Sequence, residues 1–405
     1  MNTFRHLVLS ATMSVSLGAV SFGQHYTQTN LQANASGVAE ATDPQLLNPW
    51  GLSRTSGSAW WVADNTTGVA TLYNGPGTKQ SLIVTVPPAD PNNKSTPAGS
   101  PTGIIANGSA TDFLLAAGKP AGFIFVTLDG TIAAWNPNVA LANGATPPST
   151  HAVTVVKTTD GSAFTGLTSA SIEGERYLYA ANPSKGRVDV YDNAFHLVDL
   201  DPMNDNNSGY GNFNSDHRST SDQAFKDPQL AGDYVPFNVT AIGNDIVVTY
   251  VLDPPGQQRP TAGPGFGYVD IFTSTGELLQ RLEHGSWLNV PWGVALAPLD
   301  FGRFSHHLLV GQFGNAGNTE SAGVIAAYDL VTGRFDGLVQ DANGKPLVIQ
   351  GIWSLGAGNV SPSSVDPDDA PEAQVYFTAG PNGETAGLFG YLTAVPAELT
   401  QGSNQ

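Results

Sequence analysis

The chain has 405 residues, 16 Lys and Arg against 34 Asp and Glu, and a net charge of −18; only 12% of its residues are charged, about half the usual share. It has no cysteine, which excludes disulfides, Cys-zinc sites, iron–sulfur clusters and thiol catalysis. So acidic a chain lacks the clustered Lys and Arg that phosphate backbones require, so nucleic acid is not an expected partner.

Gly (46) and Pro (28) together make about 18% of the chain, against roughly 12% on average. With Asn, Thr and Ser at most polar positions, this suits many short strands joined by turns and suits long helices badly. The first segment, "MNTFRHLVLSATMSVSLGAVSFGQ", has one Arg, an apolar stretch and small residues before Gln24. It predicts an export signal over residues 1–23, cleaved to release a secreted or periplasmic protein. No later stretch is long and apolar enough to span a membrane, so no span is expected after processing. A single domain over 24–396 and a disordered tail over 397–405 complete the predicted organisation.

The run "HYTQTNLQA" (25–33) reads as a strand, and six variations on one unit follow it. "NPWGLS" opens the first, which continues through "AWWVADNTTGVATLYNG" to "QSLIVTV". The second has "SPTGIIAN", "GFIFVTLDGTIAAWNPN" and "HAVTVV"; the third has "FTGLTSASI", "RYLYAANPSKGRVDVYDN" and "FHLVDL". The fourth opens on "VPFNVTAI", and the fifth, "VPWGVALA", repeats the Pro-Trp-Gly of the first. The sixth runs from "IQGIWSLGAG" through "QVYFTAG" to "AGLFGYLTAV". Corresponding positions are taken as Trp50, Thr102, Gly166, Phe237, Trp292 and Ile352.

Each unit holds four short runs with turns between them, an antiparallel meander. One meander cannot bury both faces, but six arranged radially can, because each packs on its neighbours. The predicted fold is all-β, a six-bladed β-propeller. Gly51, Gly103, Gly166 and Gly293 belong on the inner strands, where backbones approach the axis. Blade packing is the plain reading of Trp50 and Trp292, with ligand stacking as the alternative. The sixth unit lacks a fourth strand, so residues 25–33 are expected to complete it and close the ring.

The strings "NPWGL", "WVADNTTGVATLYNG", "SPTGI", "VDVYD", "VPWGVALAP", "LLVGQFG" and "YFTAGPNGETAGLFG" resemble a family of secreted bacterial proteins with NHL-like β-propellers. The resemblance covers the chain from about His25 to Thr393. It implies the propeller fold and export, and supplies no catalytic residue to carry over. Some relatives end in a Pro-Glu-Pro sorting tail with a membrane helix; this chain ends in "AVPAELTQGSNQ", so release is expected.

No G-x-S-x-G elbow, H-E-x-x-H or P-loop occurs. The candidate chemistry lies in turns between second and third strands, which a ring would gather at one channel mouth: Asp64, Asn65, Asp129, Asn182, Asn315 and Glu384. Their oxygens suit a hard divalent cation such as Ca²⁺, although Asp and Asn are also ordinary turn residues. Two insertions, 201–223 and 253–267, carry the scattered cations Arg218 and Arg259, which could meet an anionic ligand. Two functions follow as expectations. The first is a monomeric binding scaffold presenting mouth loops to an extracellular glycan, peptide or protein surface. The second is a metal-dependent hydrolase of the lactonase or esterase type acting at the central channel.

Overall fold

The computed structural model describes residues 24–93, 95, 97–141, 145–200, 224–253, 259–314, 322–358 and 374–396. The predicted export segment, the 201–223 insertion with Arg218, the tail and Asn315 lie outside these residues.

Six antiparallel sheets form the ring. Blade 1 comprises Pro49–Ser53, Trp60–Asp64, Val69–Tyr73 and Val84–Thr85, from inside outward. Blade 2 comprises Pro101–Ala106, Phe123–Thr127, Thr131–Trp135 and Val153–Lys157. Blade 3 comprises Gly166–Ile172, Glu175–Asn182, Arg187–Tyr191 and Leu197–Val198. Blade 4 comprises Tyr234–Ile242, Asp245–Leu252, Tyr268–Phe272 and Leu278–Arg281. Blade 5 comprises Pro291–Leu296, Leu308–Gln312, Ile325–Tyr328 and Phe335–Leu338. Blade 6 comprises Ile352–Ala357, Gln374–Ala379 and Leu388–Ala394.

The strand Tyr26–Ala33 closes the ring. It pairs antiparallel with Leu388–Ala394, from Tyr26 opposite Ala394 to Ala33 opposite Leu388. The Tyr26 hydroxyl also donates to Phe301 O at 3.0 Å, which ties the strand to blade 5. A two-residue strand, Ala41–Thr42, lies parallel beyond it and makes blade 6 five-stranded.

The blades are held by the alternation of side chains along each strand. In Trp60–Asp64, Trp60 and Val62 pack with Tyr376 and Phe389 of blade 6, whereas Trp61 and Ala63 pack with Phe123 and Trp135 of blade 2. Each of the other four interfaces has its own apolar cluster of the same kind. A β-strand second from the axis is therefore apolar on both faces, which is why these runs read as nearly continuous apolar sequence.

The inner strands touch where glycine permits. A Cβ on Gly51 would stand 2.4 Å from Thr102 O of blade 2, and one on Gly293 would stand 2.2 Å from Trp353 O of blade 6. These contacts correct the repeat alignment by one residue in two copies. The Cβ positions of Gly51, Gly103 and Gly293 face the backbone nitrogens of Ile104, Leu167 and Leu355 respectively. The residue preceding the close approach is thus Thr165 in blade 3 and Trp353 in blade 6, not Gly166 and Ile352. Poor likeness in the third and sixth copies, which lack the Pro-x-Gly spelling, caused the slip.

Candidate functional site

The axis of the ring is filled. Trp50, Phe237, Trp292 and Trp353, from the inner strands of blades 1, 4, 5 and 6, form one buried cluster with Val251, Val290 and Phe313. Trp353 stacks on Trp50 at 3.6 Å and on Phe313 at 4.0 Å, and Trp292 meets both tryptophans edge-on at 6.0 and 5.7 Å. Phe237 reaches Trp50, from the opposite blade, at 6.2 Å. Blades 2 and 3 contribute Thr102 and Thr165, whose hydroxyls donate to Phe164 O and Phe237 O. The Trp292 indole donates to Thr165 O at 3.0 Å, bridging blade 5 to blade 3. Trp50 and Trp292 therefore meet around the axis and pack between the inner strands of neighbouring blades there, while the second and third strands carry the larger apolar clusters between blades.

Above this plug, Asn48 organises the mouth. It directly precedes the Pro-Trp-Gly of blade 1 and is buried, with φ 46°. Its Oδ1 accepts the Trp353 indole N–H at 2.9 Å. Its Nδ2 donates to Glu384 Oε2 at 3.2 Å and lies 3.5 Å from Asn65 Oδ1. Asn65 in turn donates to Pro101 O of blade 2 at 3.1 Å. The other Glu384 oxygen accepts from Arg259, which comes from the blade 4 insertion and crosses to blade 6. The insertion is pinned by Gly263 N–H to Asn289 Oδ1 at 2.9 Å, and its Ala262 packs on the aromatic cluster. A strap from blade 4 thus packs on the plug and is tied by an ion pair to blade 6.

The turn residues expected at the mouth divide accordingly. Asn65 and Glu384 come together through Asn48. Asp64 does not reach the mouth: it shares the face of Trp60 and Val62, is fully buried between blades 1 and 6, and accepts the Thr71 hydroxyl at 2.7 Å. Burial pushes its pKa well above the usual carboxylate range, the Thr71 hydrogen bond opposes this, and the charge of Asp43 adds to it. Among the described residues its Oδ1 has no hydrogen-bond partner. Asn182 is fully buried and donates to Asp189 Oδ2 at 2.7 Å and Ser162 Oγ at 3.0 Å. Asp129 accepts the Ser100 N–H at 3.2 Å; burial raises its pKa and that bond offsets the rise.

Among the described residues, no three His, Asp or Glu side chains converge to hold a metal ion. At the mouth itself, the guanidinium of Arg259 and the amide of Asn48 take both oxygens of Glu384. The donor set that is present therefore suits an internal ion pair better than a hard cation.

Sequence reasoning missed Asn48, although an Asn directly before Pro-Trp-Gly was a usable signal. It also missed Trp353 and Phe313, whose role depends on what stands across the axis.

No family model matches the chain. It is 27% identical over 365 residues to an uncharacterized protein of Acanthamoeba polyphaga mimivirus, covering 89% of this chain and 78% of that protein. A second uncharacterized protein of the same virus is 27% identical over 368 residues, covering 89% of this chain and 84% of its own length. Among solved structures the chain is similar to a streptogramin B lyase, at 11% identity and a TM-score of 0.42, covering 92% of this chain and 98% of the lyase.

Proposed function

We propose that this protein is an exported binding scaffold, using the loops around the capped mouth to engage an extracellular glycan, peptide or protein surface. The observation that carries this reading is the filled axis. Four aromatic side chains occupy the space where a propeller hydrolase would need a substrate cavity, and the polar groups above them are bonded to one another. Recognition is then left to the outer surface of the strap and turns, rigidly held by the sheets beneath. Export is supported by the apolar, small-residue-flanked N-terminal segment.

The test is sedimentation of the purified protein with insoluble cellulose, chitin and peptidoglycan, together with a peptide array. Retention on one of these probes that weakens in Arg259→Ala is the expected result. Parallel assays on lactones and esters examine the hydrolase alternative. Turnover that is lost both on chelation and in Glu384→Gln would overturn the scaffold reading. Asp64→Ala and Asn182→Ala are poor probes of catalysis, because each removes a buried hydrogen-bonding group from between blades.

A further inference from the structure

At the outer side of the interface between blades 3 and 4, one guanidinium stands between two buried carboxylates. Arg281, on the edge strand of blade 4, bonds Asp227 through Nη2 and Gln229 Oε1 through Nη1 at 3.2 Å. Its Nε lies 3.7 Å from Asp270 Oδ1. The side chains of Asp227 and Asp270 are both fully buried. Asp227 also caps the segment that carries it, accepting the Gln229 N–H at 2.8 Å.

Among the described residues, neither oxygen of Asp270 has a hydrogen-bond donor, and Arg281 Nε has no acceptor. The ionisable neighbours on the packed elements give no help. Tyr250, on the adjacent strand, donates its hydroxyl to Phe225 O at 2.6 Å, and Tyr179, from blade 3, donates to Ser274 O at 2.8 Å. Tyr268 offers Arg281 its ring face at 5.6 Å. A dry carboxylate with no donor is costly when charged and tolerable when protonated.

We propose that Arg281 is a proton-controlled switch: it clasps Asp227 while Asp270 is neutral, and turns to Asp270 when that carboxyl ionises, loosening residues 226–233. The competing bonds already lie within one side-chain movement, since Nε faces Asp270 while Nη2 holds Asp227. Burial raises the Asp270 pKa to about 7, which places the exchange near neutrality. Phe225, buried among Tyr179, Tyr250 and Phe272, stays as the fixed point.

The test is amide hydrogen exchange of peptides covering 226–233 at pH 6, 7 and 8, corrected for intrinsic exchange. In the wild type the opening equilibrium should rise above neutrality by up to about ten-fold per pH unit, the limit for one linked proton. Asp270→Asn should keep the pH 6 level of protection throughout, and Asp227→Asn should lose protection equally at all three values. Arg281→Gln provides a second control and should abolish the slope. A wild type without a slope, or a slope that survives in Asp270→Asn or Arg281→Gln, overturns the proposal.

Discussion

Replacing Trp353 by Ala would test whether the axial plug stabilises the ring as a whole. Trp353 is 1% exposed and lies between Trp50 and Phe313, in stacked contact with both. Removing a buried Trp to Ala costs about 3–5 kcal/mol through lost transfer energy and the cavity left behind. The change also strips Asn48 Oδ1 of the indole N–H, and an unsatisfied buried acceptor adds about 1–3 kcal/mol. A total near 5 kcal/mol follows, a third or more of the roughly 5–15 kcal/mol that keeps a domain folded. Urea unfolding of the wild type, Trp353→Ala and Trp353→Phe would measure it. Trp353→Phe keeps the stacking and loses the hydrogen bond, so it should cost about 1–3 kcal/mol. Free indole should raise the midpoint of Trp353→Ala alone, by occupying the vacated space. A loss below about 1 kcal/mol in Trp353→Ala, or equal losses in both variants, would refute the plug as a common keystone of blades 1, 5 and 6.

Gly293→Ala should destabilise by about 1–3 kcal/mol or more, because the new methyl meets backbone; Gly57→Ala, whose Cβ would meet nothing within 4 Å, should be neutral in the same unfolding assay. Asp64→Asn should stabilise the protein at pH 8 and leave it unchanged at pH 3. The pKa of Asp64 is raised in the fold, so the native state favours its protonated form. Its contribution is fully present below the unfolded value near 4 and is lost as the pH rises through the folded value; thermal melts across that range would reveal a parallel, pH-independent offset if the argument fails. Arg259→Ala should cost no more than about 1 kcal/mol, since Arg259 is largely exposed and such pairs are screened by salt. A double-mutant cycle with Glu384→Gln at low and high ionic strength would measure the coupling.

Much of this protein could be read from local patterns alone. Short apolar runs punctuated by Gly, Asn and Pro indicated meanders, their repetition indicated six blades, and the spare run at 25–33 indicated the closing strand. The period of two even places Asp64 on the face of Trp60 and Val62, a hint that it would be buried. These features come from backbone geometry and side-chain alternation, which act over a few residues. Only the tertiary structure decided what those faces meet. Trp50 and Trp353 are 303 positions apart by their numbering and stack because radial packing brings every inner strand to one axis. Arg259 and Glu384, from blades 4 and 6, pair because an insertion takes a path across the mouth that no periodicity encodes. The direction of each turn side chain is set by the blade beside it. That is why Asn65 and Glu384 came together while Asp64 and Asn182 turned inward.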